Sequence, residues 1–174
     1  MLVDLQGPKI RIGKFKDGPV TLQEGDTFII DVDHPLDAGT RERVGSTYRT
    51  LPQDVTRGVT LLLDDGRLAL WVDKIEAGAV ICRVVVGGEL SDNKGINRQG
   101  GGLSAMELTD KDRKDIAVAA AIKADYLAIS FVCTAEDVNE ARQLLRAAGG
   151  HGGIVAKIER AEAVENAESI IDAA

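Results

Sequence analysis

Lys157 and Glu159 are the side chains whose type and spacing point most directly to chemistry. They stand two apart at the end of a predicted strand, so both can share one face. A cation and a carboxylate converging on one point can stabilise developing charge; a solvated strand end carries the same Lys-Ile-Glu pattern. Gly100-Gly101-Gly102 could cradle an anion with backbone N–H groups. No Walker pattern accompanies it, because the Gly-Lys candidates lack the spacing and the following Ser or Thr, so a loose hinge is preferred. His34 and His151 fall in loop-like stretches without a partner pattern. Cys82 and Cys133 form neither metal spacing nor a disulfide framework, and read as small buried residues.

The elements that must carry these groups change character near residue 100. Before it, Lys9 to Phe15, Thr27 to Val32, Leu61 to Leu63, Leu68 to Ile75 and Val80 to Val86 read as short strands. Asp64-Asp65-Gly66 makes a hairpin turn, although a carboxylate at a domain tip is a second reading. Short strands at such spacing predict a small barrel or sandwich. After it, Thr109 and Thr134 open helices with a carboxylate three residues on, at Asp112 and Asp137. The charged run Thr109 to Asp115 is expected to be a solvated helix start. Tyr126 to Val132 and Ile154 to Ile158 are strand candidates, and Ala161 to Ala174 is predicted helical throughout. That order implies parallel βαβ units. Two such strands, with Leu2-Val3, are too few for a covered parallel sheet. The expectation is a piece of a larger α/β protein with a β domain inserted into it.

The 174 residues are 44% hydrophobic, 28% charged and only 3% aromatic, so aliphatic side chains must build the core. A net charge of −7 and the scarcity of aromatics disfavour a nucleic-acid-binding small barrel. The longest near-apolar run, Ile116 to Ile122, is far short of a membrane span. No signal-peptide pattern opens the chain, so a cytoplasmic protein is expected.

Several segments in order resemble the pyruvate kinases: D-L-Q-G-P-K-I-R (Asp4 to Arg11), S-D-N-K-G-I-N (Ser91 to Asn97), L-T-D-K-D (Leu108 to Asp112), A-I-S-F (Ala128 to Phe131) and A-K-I-E-R-A-E-A-V (Ala156 to Val164). Each is weak singly; together they cover essentially the whole chain. The resemblance implies α/β plus β architecture, with a small β-barrel lid domain inserted in an incomplete (β/α)8 TIM barrel. Residues 1–7 would end a barrel strand, 8–94 would be the lid, and 95–174 a partial barrel βαβα segment. A second metal carboxylate in an R-G-D segment is expected beyond Ala174, and a substrate-binding Arg and Asn before the first residue.

The implied activity of the parent is glycolytic phosphoryl transfer from phosphoenolpyruvate to ADP, giving pyruvate and ATP, with Mg²⁺ or Mn²⁺ as cofactor. By the same resemblance, Lys157 steadies the transferring phosphoryl group and the enolate, and Glu159 is the metal ligand, at the rim where barrel enzymes place active sites. Arg11 is catalytic and, with Lys94 and Asn97, reaches nucleotide and phosphates, so lid closure helps assemble the site. Without the resemblance, Arg11 and Lys94 read as ordinary exposed cations. Ser130 and Phe131 would border the substrate pocket or serve structure. Many relatives have D-T-K-G-P-E and need K⁺. Here Asp4 is kept, but Leu5 and Lys9 stand at the other two positions; the Gln6/Lys9 and Gly-Gly-Gly-Leu-Ser (Gly100 to Ser104) variants are most similar to one bacterial branch. The Lys9 ammonium could take the place of K⁺, so K⁺ independence is expected. A second departure, N-R-Q-G at Asn97 to Gly100 for N-L-P-G, should loosen the hinge. The expected parent is a cytoplasmic homotetramer that binds no nucleic acid or membrane, and the chain alone is expected to be inactive. The alternative is a stand-alone, non-catalytic binding or assembly module.

Overall fold

The structure, a computed structural model, describes residues 1–8, 10–104 and 108–174. The chain divides into two compact units, one of Met1–Pro8 with Ala105–Ala174, the other of Lys9–Ser104. The first unit begins with β1 (Leu2–Asp4).

The second unit is β-rich. In chain order it contains β2 (Val20–Leu22), β3 (Thr27–Asp31), β4 (Arg43–Gly45), a one-turn helix α1 (Leu51–Asp54), β5 (Thr60–Leu63), β6 (Leu68–Glu76), β7 (Ala79–Val86), β8 (Gly88–Leu90) and β9 (Ile96–Arg98). Six strands form one sheet in the order β4-β3-β7-β6-β5-β9, and β2 pairs with β8. Period-2 alternation turns Phe28 and Ile30, Leu61 and Leu63, Leu70 and Val72, and Val80, Cys82 and Val84 to the interior. The β5–β6 hairpin turns at Asp64, Asp65 and Gly66, all at positive φ, as the Asp-Gly signal required. Cys82 is fully buried, and desolvation, with the nearby Asp73 charge second, pushes its thiol up to about 12.

Two expectations change here. Lys9 to Phe15 is no regular strand among the described residues, but touches three different partners through the isolated bridges Arg11↔Gly95, Ile12↔Ser46 and Phe15↔Gly39. Residues 95–104 join the β unit, because β9 pairs with β5 and Arg98 donates to the carbonyls of Asp54 and Gly102. The three glycines therefore lie in a loop tied at both sides. Ser104, just past them, bonds the Asp54 carboxylate through its N–H and its hydroxyl.

The first unit continues with α2 (Asp110–Ala121), β10 (Tyr126–Ile129), α3 (Ala135–Ala147), β11 (Gly153–Ala156), α4 (Ala161–Glu165) and α5 (Ala167–Ala173). The strands form a parallel sheet, β1-β10-β11, with Val3 opposite Leu127 and Leu127 opposite Ile154. Leu5, Ile116, Ala119, Leu127, Ile129, Val138, Ala141, Leu145, Ile154 and Ile170 pack into its core. Both capping boxes form. Asp112 is fully buried, not part of a solvated helix start, because its carboxylate is used for more than the cap. Cys133 is half-buried rather than buried. The last helix breaks at Asn166, whose side-chain amide donates to the Cys133 carbonyl at 3.0 Å. Asn competes with helix in this way. Val118, Ile122, Val164 and Ile171 remain exposed. Among the described residues no helix is long and apolar enough to cross a membrane.

Candidate active site

Because β1, β10 and β11 run parallel, their carboxyl ends share one edge, and the predicted residues of the first unit gather there. Asp4 closes β1, Ser130 and Phe131 follow β10, and Lys157 and Glu159 follow β11. The Lys157 N–H extends the ladder to the Ile129 carbonyl at 3.0 Å. Its ammonium lies 3.1 Å from Asp4 Oδ1 and 3.6 Å from Glu159 Oε1. Glu159 Oε2 accepts the Phe131 N–H at 3.1 Å. Lys157 thus faces two carboxylates, and Glu159 is held by a cation on one oxygen and a backbone donor on the other.

These groups contribute little to stability. The side chains of Lys157, Asp4 and Glu159 are 30%, 53% and 37% exposed, and such pairs are worth about 0–1 kcal/mol. What lies beneath them is tied down by a hydrogen bond and close packing. Buried Ser130 donates to the Leu5 carbonyl at 2.7 Å, tying β10 to the end of β1. Phe131 holds φ at +59°, a conformation non-glycine residues rarely adopt and one that recurs at functional sites. Gly7, at φ +66°, leaves room for it: a Cβ there would come within 2.9 Å of the Phe131 ring and 3.0 Å of Ser130 Cβ.

A second group lies within the β unit. The Arg11 guanidinium donates to the Asn93 carbonyl at 2.9 Å, and Ile12 N–H to the Lys94 carbonyl at 2.9 Å. The Arg11↔Gly95 bridge therefore sets Arg11 beside Lys94 in the backbone. Lys94 Nζ is 2.8 Å from Asp64 Oδ1 in the β5–β6 turn. Asn97 is exposed on β9, opposite Leu62. Lys9 lies outside the described residues, and with it the expected stand-in for K⁺.

Two carboxylates escaped the sequence reading. Asp64 reads as a turn residue or a carboxylate at a domain tip, and nothing in Asp-Asp-Gly shows that its side chain holds Lys94. Asp112 had been assigned to a cap, and only its burial distinguishes it from a surface one. Among the described residues no group of three or more His, Cys, Asp or Glu could hold a metal ion. Glu159 offers a single hard oxygen ligand beside the strand edge, which suits a divalent cation completed by water and substrate oxygens.

A parallel α/β unit with a cation and carboxylates at the carboxyl edge of its strands belongs to the class of α/β proteins that place their chemistry at that edge. A family model described as "Pyruvate kinase, barrel domain" matches residues 1–174. The chain is 54% identical over 172 residues to pyruvate kinase of Haemophilus influenzae, covering 99% of this chain and 36% of that protein. It is 54% identical over 164 residues to pyruvate kinase II of Salmonella typhimurium, covering 94% and 34%. With pyruvate kinase of Mycobacterium tuberculosis it shares 41% over 171 residues, covering 98% and 36%. The chain belongs to the pyruvate kinase family and spans about a third of the length of these relatives.

Proposed function

We propose that the chain is a section of a cytoplasmic, glycolytic pyruvate kinase whose whole protein transfers the phosphoryl group of phosphoenolpyruvate to ADP, giving pyruvate and ATP. The observation that carries this is the Lys157 ammonium set between Asp4 and Glu159 at the carboxyl edge of three parallel strands. Phosphoryl transfer asks mainly for positioning and charge stabilisation. Lys157 offsets the charge that develops on the phosphoryl oxygens and on the enolate oxygen, and Asp4 keeps its ammonium aimed. Glu159 holds Mg²⁺ or Mn²⁺, which when bound neutralises phosphate charge as a Lewis acid. Ser130 and Phe131 form the floor of the substrate pocket. In the β unit, which this reading makes the lid, Arg11, Lys94 and Asn97 contact the nucleotide and its phosphates, with Arg11 also stabilising the transferred group. The parent is a homotetramer, and the isolated chain, which spans about a third of the length of its relatives, is inactive alone.

The test is a coupled assay of pyruvate formation by the full-length protein. Turnover that needs phosphoenolpyruvate, ADP and a divalent cation together supports the reading; absence of turnover with all three present overturns it.

The same reading makes the parent independent of K⁺, because the sequence carries Lys9 where relatives that need K⁺ have Glu, and an ammonium can take the place of a monovalent cation. Full-length enzyme with Lys9→Glu is expected to gain a requirement for K⁺, read as activity against K⁺ concentration. An unchanged K⁺ response contradicts it.

A further inference from the structure

We propose that Asp112 is a positioning residue for Glu159, acting through Gly7 and Phe131; the inference rests on the reading of Glu159 as the metal-holding carboxylate. Asp112 is fully buried, and its two oxygens do different things. Oδ2 accepts the N–H and the hydroxyl of Thr109 at 2.9 and 2.6 Å, which is the N-terminal cap of α2. Oδ1 accepts the N–H of Gly7 at 3.1 Å. A capping box needs no such bond, since its carboxylate serves the cap from the helix surface. Desolvating a carboxylate is costly unless its oxygens are well bonded. A cap alone is a poor return for that cost, and the bond to Gly7 is what burial makes possible.

Gly7 in turn sets Phe131. The space where a Gly7 side chain would stand is filled by the Phe131 ring, whose Cδ2 is 2.9 Å from the ideal Cβ position. With Gly7 fixed by Asp112, the ring has a wall to rest on. The backbone of Phe131 then stays in its left-handed conformation, and its N–H points to Glu159 Oε2. The chain of contacts Asp112, Gly7, Phe131, Glu159 lies wholly within the first unit. It orients the carboxylate without Asp112 touching any reacting atom. Partners that orient a ligand commonly change metal affinity by about 10–100-fold when removed.

The experiment measures Mn²⁺ binding to the full-length protein by electron paramagnetic resonance, with no substrate present. Four variants are compared with wild type: Glu159→Gln, Asp112→Asn, Phe131→Ala and Thr109→Ala. Asn has one carbonyl oxygen and cannot keep both sets of bonds. Phe131→Ala deletes the ring but keeps the N–H, and decides the matter where Asp112→Asn does not fold. Thr109→Ala removes the hydroxyl of the cap and leaves Gly7 its acceptor. The expected result is weaker Mn²⁺ binding in Glu159→Gln, about tenfold weaker binding in Asp112→Asn and Phe131→Ala, and affinity near wild type in Thr109→Ala. Wild-type affinity in Glu159→Gln defeats the underlying reading. Loss in Glu159→Gln with wild-type affinity in Asp112→Asn, or in Phe131→Ala where the former does not fold, overturns the inference alone. Equal losses in Asp112→Asn and Thr109→Ala also overturn it, by reducing Asp112 to a cap.

Discussion

Lys157→Met in the full-length enzyme is expected to lower kcat by about 10²–10³-fold, the cost of removing one well-placed charge stabiliser. The substitution keeps an unbranched side chain, one heavy atom shorter, and removes the ammonium with its charge and its donors. Lys157 makes no buried ion pair, so folding should survive: its partners Asp4 and Glu159 are substantially exposed, and pairs of that kind add little stability. Loss of the ammonium also leaves the Asp4 and Glu159 carboxylates without the cation that both face, which disfavours the approach of phosphate to this edge. Lys157→Arg should not restore the rate, because a planar guanidinium cannot place a point charge where the ammonium sat. Steady-state kinetics on folded protein, checked by circular dichroism, measure this. Near-wild-type kcat in Lys157→Met would remove the cluster from catalysis.

Gly7→Ala has the largest expected effect on structure. The new Cβ would meet the Phe131 ring at 2.9 Å and Ser130 Cβ at 3.0 Å, at φ +66°. Ser130 cannot withdraw without breaking its bond to the Leu5 carbonyl. Phe131 cannot move without releasing Glu159. Overpacking costs about 1–3 kcal/mol, and the left-handed backbone about 1–2 kcal/mol more for a residue with a Cβ. Gly18→Ala is the control. Its φ is +86° and a Cβ there meets nothing within 4 Å, so only the backbone penalty applies. Differential scanning calorimetry of the full-length variants should show a clearly larger fall in Tm for Gly7→Ala. Equal shifts would mean that the contact with Phe131 and Ser130 is not tight in solution.

Elements with a strong local signal were legible in the sequence. The β5–β6 and β6–β7 hairpins follow from alternating aliphatic runs broken by Asp-Gly and Ala-Gly turns. Helices α2 and α3 follow from Thr followed three residues later by Asp, ahead of an apolar stripe. The three-residue strands β2, β4, β8 and β9 were not legible, because each is defined by a partner far away in the chain rather than by its own pattern. The same reason explains the 95–104 segment, which looks like a hinge by its glycines and is held by Arg98, Asp54 and Ser104.

At the candidate site, the spacing of Lys157 and Glu159 implied a shared face. It could not supply Asp4 as the partner of Lys157, since that contact spans 153 positions. Nor could any local rule foresee Phe131 at positive φ. The left-handed backbone goes with its contacts to Gly7 and Glu159, both distant in the chain, and not with the preference of a phenylalanine. Asp112 was visible as a cap, and its second bond was hidden for the same reason of distance.

On the proposed function, the carboxyl edge of β1, β10 and β11 is where the full-length protein holds its metal and transfers phosphate. The most direct measurement is the Mg²⁺ dependence of pyruvate formation by full-length enzyme, wild type against Glu159→Gln. Loss of one of the few protein ligands to a divalent cation should raise the half-saturating Mg²⁺ concentration by about tenfold or more and lower the rate at saturation. Superimposable Mg²⁺ curves with unchanged kcat would contradict the assignment and move the active site away from this edge.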